Sequence, residues 1–277
     1  MKFTSIGKTL RMRHLLRHDR AVVVAVDHGN AAGVVRGLED PLAVVKMIAE
    51  SGADGILITP GLLEQCVEVV GDLAVILRID GCATTLGTGP MEQFCSVENA
   101  IAMGVDSVVI NATVGASYES IELKKVGFVS SEGRRLGIPV VAEMLSKRMM
   151  DNHLDFSGTG NDSLPSDIAT DVEMAARIGV ELGADAIKTR YPGEPKRFKE
   201  IVASSGRPIW VAGGPQRDSS LESSLSLVNE VMEAGASGIV FGRIVWQYPQ
   251  PSQMLQALCA IVHHDATVKD AIAIGKT

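Results

Sequence analysis

Aromatic residues are scarce in this 277-residue chain, because Phe, Trp and Tyr together make up only 4% of it. Hydrophobic residues still account for 46%, so a large core has to be built from Val, Ile, Leu, Ala and Met. A chain of this length could form two domains, but α/β barrels commonly use about 250 residues as one domain. We therefore expect residues 1–277 to form a single domain.

The chain also lacks the features that mark metal-binding, secreted, membrane and nucleic-acid-binding proteins. No apolar run approaches the roughly 20 residues that span a bilayer, and the first residues contain no apolar signal core. The net charge of −7 argues against nucleic acid as a partner. Neither a CxxC pair nor a metal-ligand spacing occurs among the four cysteines, which are Cys66, Cys82, Cys95 and Cys259. These absences predict a cytoplasmic protein with reduced thiols and no metal.

What the chain does contain is a series of eight short apolar runs that alternate with segments of helical period. The first, at residues 21–26, is rich in β-branched residues, as is typical of a strand buried on both faces. The helix before a strand repeatedly ends in Gly-Ala-Asp or a similar tripeptide, which we call the joint. This recurrence indicates that one βα unit is used several times. Eight such units in about 240 residues predict an α/β fold of the TIM (β/α)8 barrel type. The other runs lie at 55–58, 73–78, 107–111, 138–143, 184–187, 208–212 and 237–241.

The alternative fold is an open, doubly wound sheet. It would require a glycine-rich dinucleotide loop after the first strand, where this chain has Asp27, His28 and Gly29.

Two segments flank the predicted units. A short basic helix over residues 5–19, with Leu10, Leu15 and Leu16 on its apolar side, is expected to close the bottom of the barrel with its charges in solvent. A long irregular loop at 146–165 follows the fifth strand on the active face, and its length predicts a lid or a subunit contact.

Lys188 follows the apolar run 184–187, so it stands at the end of a predicted buried strand. Desolvation favours the neutral form of a buried amine, which is a nucleophile that can form a Schiff base with a carbonyl group. The alternative is a lysine that reaches the rim and pairs with a carboxylate.

Asp27, at the end of the first strand, would face the same cavity and could move protons, or it could form a salt bridge that keeps Lys188 charged. His28 is a candidate acid or base, or a residue that positions Asp27.

Polar residues and glycines follow the other strands and would complete a ring around this lysine. Glycines after strands seven and eight let backbone N–H groups approach oxyanions, and an arginine there can bind phosphate through two hydrogen bonds. This pattern predicts a phosphorylated small-molecule substrate. The ring consists of Thr59, Arg78, Asp80, Asn111, Glu143, Gly213, Gly214, Gly242 and Arg243.

Four segments, at 24–29, 181–189, 211–215 and 242–247, resemble class I aldolases of the archaeal fructose-bisphosphate type. That family also contains aminodideoxyheptulosonate synthases and a thiolase that degrades a phosphorylated autoinducer. The resemblance implies a metal-independent enzyme without a cofactor and a homo-oligomer, often a decamer of two stacked rings. It also implies a Schiff-base lysine at Lys188, a strand-one carboxylate at Asp27 and phosphate binders at Gly213, Gly214, Gly242 and Arg243.

One stretch departs from the family pattern. Fructose-bisphosphate aldolases of this type carry a Trp and then Tyr-Pro-Arg-Gly after strand five, whereas this chain has Glu-Met-Leu-Ser-Lys-Arg at 143–148. The tyrosine acid is absent, so Glu143, Lys147 and His153 are the candidates to replace it. The ending at 260–264 is more similar to the thiolase.

The sequence thus predicts a Schiff-base aldolase that acts on a phosphorylated ketose such as fructose 1,6-bisphosphate. Alternatives with the same lysine are a thiolase that transfers an acyl group of a phosphorylated diketone and an aminodideoxyheptulosonate synthase. An alternative of another class is a barrel that binds a sugar phosphate without turnover.

Overall fold

In the computed structural model, which describes residues 5–153, 167–213 and 220–276, eight parallel strands close into a barrel. Each strand pairs with its neighbour in the chain, and the last pairs with the first. This closure confirms the predicted TIM barrel and excludes the open sheet. The strands are β1 (Ala21–Ala25), β2 (Gly55–Ile58), β3 (Ala74–Arg78), β4 (Ser107–Val114), β5 (Val140–Ser146), β6 (Ala186–Arg190), β7 (Ile209–Ala212) and β8 (Gly238–Phe241).

Helices follow the strands and cover the outside of the barrel. Several begin at a side chain that accepts a hydrogen bond from the backbone of the first turn, as Ser5, Asp40 and Ser96 do. A two-residue strand, Asp80–Gly81, pairs antiparallel with Glu92–Gln93 beside the end of β3. The helices are α1 (Ile6–Leu15), α2 (Gly29–Ala32), α3 (Pro41–Glu50), α4 (Pro60–Cys66), α5 (Val97–Ala102), α6 (Glu119–Leu136), α7 (Lys147–His153), α8 (Ile168–Glu181), α9 (Pro195–Ser205), α10 (Leu221–Glu233), α11 (Arg243–Trp246), α12 (Pro251–His264) and α13 (Val268–Ile274).

The predicted N-terminal helix does close the bottom of the barrel, and of its predicted apolar residues Leu15 and Leu16 pack there but Leu10 does not. Met12 and Leu15 are buried against the side chains inside the barrel, which include Trp210. Leu10, predicted on that face, is 58% exposed. The reason is register: a helix turns 100° per residue, so the residues that point inward are spaced by three or four.

The charges of the N-terminal segment were predicted to be solvated, and this is wrong for Lys8, which is buried. Three of the Gly-X-Asp joints carry an aspartate that accepts a hydrogen bond from the backbone N–H of a neighbouring strand. Each of these aspartates also pairs with a side chain of the N-terminal segment, so the recurring joint anchors the segment that closes the barrel. The pairs are Lys8 with Asp185 (2.5 Å), His14 with Asp106 (2.8 Å) and Arg17 with Asp54 (2.8 Å).

The long loop predicted at 146–165 is wrong at its start. Strand β5 continues to Ser146, and helix α7 occupies Lys147–His153. The remainder of that prediction, from residue 154 onward, lies outside the described residues. In the three described ranges, no helix is both long enough and apolar enough to cross a membrane.

Candidate active site

A cavity with both charged and apolar lining residues opens at the carboxyl ends of the strands, where the sequence predicts the ring of functional residues. Seven of the nine predicted site residues line it: Asp27, His28, Glu143, Lys188, Gly213, Gly242 and Arg243. Of the other two, Gly214 lies outside the described residues. His153 is the last residue of α7, and its side chain is likewise outside the described part of the chain.

Lys188 lies in the middle of β6, not at its end, and points into the barrel. Its Cα is in register with that of Glu143 on β5, so the two side chains stand at the same height on neighbouring strands. Lys188 Nζ lies 2.6 Å from Glu143 Oε1, and both side chains are buried. The carboxylate against the lysine is therefore Glu143, whereas the sequence pointed to Asp27.

Arg78, which the sequence placed in the ring without a role, is the hub of the site. Its three nitrogens contact three different carboxylates: Nε contacts Asp27 (2.9 Å), Nη1 contacts Asp80 (3.2 Å) and Nη2 contacts Glu143 (2.5 Å). Burial alone would lower the pKa of Arg78, but the surrounding carboxylates more than offset it and raise the pKa. The guanidinium thus holds both Asp27 and Glu143 against one permanent positive charge.

A second layer supports this hub from the outside of the barrel. Asp80 is completely buried and binds Lys125 Nζ at 2.5 Å as well as Arg78. Lys125 comes from α6, where it faces inward together with Glu122. Sequence reasoning missed Lys125. The available signal was that Glu122 and Lys125, three residues apart, are polar at positions of the helix that face the barrel.

The ion-paired network is balanced in charge. It contains three cations, Lys188, Arg78 and Lys125, and three carboxylates, Asp27, Asp80 and Glu143. Loss of one proton from Lys188 would therefore leave a negative network, unless the proton moves to a carboxylate within it.

Asp27 and His28 follow β1, and the pKa of each is lowered, Asp27 by neighbouring cations and His28 mainly by burial. Burial would raise the pKa of Asp27, but the charges of Arg78 and Lys188 hold it below its usual 3.8. Burial lowers the pKa of His28 to about 4, and Arg243 and Lys188 act in the same direction. Near neutral pH the site therefore holds an ionised Asp27 beside a neutral His28, whose ring packs edge-on against Trp246.

This depressed pKa predicts an acid-dependent loss of stability. The unfolded chain binds a proton at His28 near pH 6.5 and the folded chain only near 4, so the unfolded state takes up more protons in between. The penalty is absent above pH 6.5, grows as the pH falls and reaches about 3 kcal/mol below pH 4. Urea unfolding of the wild type and His28→Gln between pH 4 and 7 measures it, since the variant should lack this part of the pH dependence. Equal pH dependence in both proteins would contradict the prediction.

The predicted phosphate-binding residues occupy the side of the cavity next to β7 and β8. A side chain at Gly242 would place its Cβ 2.4 Å from His28 Cε1 and 2.8 Å from the Ala25 oxygen. At Gly213 a Cβ would lie 2.7 Å from Ile244 Cδ1. Both glycines are thus required by close packing, and Arg243 brings a buried cation to the same side.

Of the remaining ring residues, one lies in the cavity and another in a neighbouring groove. Asn111 lines the cavity, and with its amide turned by 180° it donates to Glu143 Oε2 (3.0 Å) and accepts from Arg78 (3.3 Å). Thr59 does not reach the cavity. It precedes α4 and lines a neighbouring groove with Cys82 and Phe94.

A family model, curated relatives and a solved structure all relate this chain to class I aldolases. The model of the DeoC/LacD family aldolases matches residues 21–248. The 2-amino-3,7-dideoxy-D-threo-hept-6-ulosonate synthase of Halobacterium salinarum is 32% identical, over 98% of this chain and 97% of the relative. The class 1 fructose-bisphosphate aldolase of Thermoproteus tenax is 29% identical, over 91% and 93%. An archaeal fructose-1,6-bisphosphate aldolase structure, with its catalytic lysine covalently bound to the carbinolamine intermediate, superimposes with a TM-score of 0.79. Its identity is 28%, and the match covers 92% of this chain and 99% of that one.

Proposed function

The chain belongs to the DeoC/LacD family of aldolases and is a class I aldolase, and from this premise we propose that it acts on a phosphorylated ketose through a Schiff base on Lys188. The observation that carries the proposal is the buried contact of 2.6 Å between Lys188 Nζ and Glu143 Oε1. A Schiff-base lysine has to lose a proton before it attacks, and Glu143 is placed to take it.

In the first step, the amine of Lys188 attacks the ketone carbon while Glu143 holds the proton that the ammonium released. The carboxyl group then gives a proton to the carbinolamine hydroxyl, which leaves as water, and a C=N iminium remains. The network keeps its total charge throughout the proton transfer, because the proton stays within it. Asp27, an ionised carboxylate facing the same cavity, stabilises the iminium cation.

In the second step, the iminium accepts the electron pair of the adjacent C–C bond and becomes an enamine. The hydroxyl group on the departing carbon loses its proton and becomes the aldehyde. We assign this proton to Asp27, which Arg78 orients at 2.9 Å. Protonation of the enamine carbon and addition of water then release the ketone and restore the lysine.

The phosphate of the ketose is assigned to the side of the cavity formed by Gly213, Gly242 and Arg243. A buried arginine can contact two phosphate oxygens at once, and glycines allow backbone N–H groups to approach the others. Lys188 lines the same cavity, so we expect the ketone carbon to lie next to its amine.

The relatives point to two substrate assignments. Fructose 1,6-bisphosphate is supported by the relatives from Thermoproteus tenax and the archaeal structure, which are fructose-bisphosphate aldolases. Synthesis of an aminodideoxyheptulosonate, the activity in the name of the relative from Halobacterium salinarum, is supported by β5. The tyrosine of the aldolase pattern is missing there, and Leu145 lines the cavity two residues after Glu143.

Borohydride reduction in the presence of dihydroxyacetone phosphate tests the proposal. We expect intact-mass spectrometry to show one triose-phosphate adduct on the wild type, peptide mapping to place it on Lys188, and Lys188→Ala to remain unlabelled. Lys125 offers an internal control. It is a second buried lysine in the same ion-paired network, and it should carry no label. An adduct on the Lys188→Ala protein would contradict the assignment. Binding of the triose phosphate without any adduct would favour a barrel that binds without turnover.

A further inference from the structure

The active-site cavity has two chemically different halves. One half, next to β7 and β8, contains Gly213, Gly242 and Arg243. In the closed order of strands, β4 stands opposite β8, and the half formed after β3, β4 and β5 is lined mainly by apolar side chains. These are Ala83, Met91, Leu145 and Met150, with the amide of Asn111 and the ion-paired Arg78 and Glu143 beside them.

The cations that line this second half have carboxylate partners. Of the described residues that line the cavity, Arg78 and Lys188 are its cations apart from Arg243, and they contact carboxylates at 3.2 Å or less. Arg148 on α7 extends into solvent, where it binds Asp167 and Asp171. A phosphate placed against Met91, Leu145 and Met150 would lose water without gaining a cation, which is unfavourable.

We infer that this apolar half is the acceptor subsite, and that it takes a short uncharged aldehyde with few hydroxyl groups. The inference rests on the proposed function, because it concerns the second substrate of the same lysine. The donor ketone then contributes the only phosphate of the product, a ketose monophosphate, and this inference decides against fructose 1,6-bisphosphate as the substrate. The two methionines are unbranched and flexible, so the subsite accommodates acceptors of more than one shape.

In the direction of condensation, the enamine carbon of the donor attacks the aldehyde carbon and a C–C bond forms. The aldehyde oxygen takes up the proton that Asp27 removed when the enamine formed, and it becomes a hydroxyl group. Addition of water to the iminium releases the product and Lys188. Atoms and charges balance without an oxidant, a reductant or a metal.

A comparison of two acceptor aldehydes tests the inference. Initial rates are measured with dihydroxyacetone phosphate and either butyraldehyde or glyceraldehyde 3-phosphate. We expect kcat/KM for butyraldehyde to exceed that for glyceraldehyde 3-phosphate by about tenfold or more, which corresponds to about 1.4 kcal/mol. A preference for the phosphorylated aldehyde in the wild type would overturn the inference.

Substitutions in the subsite provide the matched comparison. Met150→Lys adds a cation to the apolar half and should shift the ratio towards glyceraldehyde 3-phosphate by about tenfold, while Met150→Gln adds polarity without charge and should shift it less. Met174→Lys, at an exposed methionine on α8, should leave the ratio unchanged. If Met150→Lys fails to fold, Leu145→Lys tests the same subsite from β5. An unchanged ratio in a folded lysine variant of the subsite would contradict the inference.

An assay without aldehyde separates this inference from the proposed function. The enamine of dihydroxyacetone phosphate exchanges a carbon-bound hydrogen with D2O, whatever acceptor follows. If the exchange depends on Lys188 but the enzyme prefers the phosphorylated aldehyde, the acceptor inference is wrong and the proposed function stands. No exchange in the wild type would remove the proposed function as well.

Discussion

Replacement of Glu143 by glutamine is expected to lower kcat by about 10²- to 10⁴-fold, the range for loss of a general acid or base. Glutamine has nearly the same shape and its oxygen can still face Lys188, but it cannot take the proton. In the wild type that oxygen lies 2.6 Å from the lysine nitrogen. The proton would then have to leave through water, and this transfer is slow because both side chains are almost completely buried.

The measurement is the rate of adduct formation by rapid quench with borohydride, alongside steady-state turnover. We expect Glu143→Gln to slow adduct formation itself, and its rate to increase with pH as hydroxide replaces the carboxylate. Asp27→Asn is the comparison, because Asp27 contacts Arg78 rather than Lys188. It should slow cleavage of the C–C bond more than formation of the adduct. A larger effect of Asp27→Asn on adduct formation would reverse the two assignments.

Replacement of Arg78 by methionine is expected to reduce the free energy of unfolding by about 3–5 kcal/mol, the usual result of breaking a buried ion pair from one side. The guanidinium contacts Asp27, Asp80 and Glu143 and is almost completely buried. Removing it leaves three carboxylates with two remaining cations, so their mutual repulsion is no longer balanced. Methionine fills a similar volume, which limits any contribution from a cavity.

Urea unfolding measures this loss, and Arg135→Met is the matched control. Arg135 also contacts two carboxylates, Glu98 and Glu132, but its side chain is 57% exposed. Exposed pairs contribute about 1 kcal/mol or less, so the control should be nearly as stable as the wild type. Arg78→Lys keeps the charge and should recover part of the stability, but one ammonium cannot reproduce three separate contacts. Equal losses for Arg78→Met and Arg135→Met would show that the hub has no special role in stability.

Much of the site could be predicted because strand ends are visible in the sequence. The apolar runs before Asp27, Asn111 and Gly213 are short and rich in β-branched residues, which is typical of strands buried on both faces. Once eight of them are counted, the barrel brings their carboxyl ends to one opening. The composition of the ring therefore follows from local patterns, and seven of the nine predicted residues do line one cavity.

Which residues in the ring touch each other could not be predicted in this way. Lys188 binds Glu143 because β5 and β6 are neighbours in a particular register, and a shift of two residues would give the lysine another partner. Lys125 reaches Asp80 from a helix 45 residues away. Lys8 reaches Asp185 across 177 residues, at a position where the sequence suggested a solvated charge.

The amino-acid sequence by itself determined the barrel, the lysine at its centre and the chemical types around it, because burial and strand formation depend on residues close together in the chain. The tertiary structure alone decided that Arg78 is the hub, that Glu143 faces the lysine and that one half of the cavity is apolar. These contacts depend on the closure and register of the barrel, where a difference of one or two residues in pairing changes every partner.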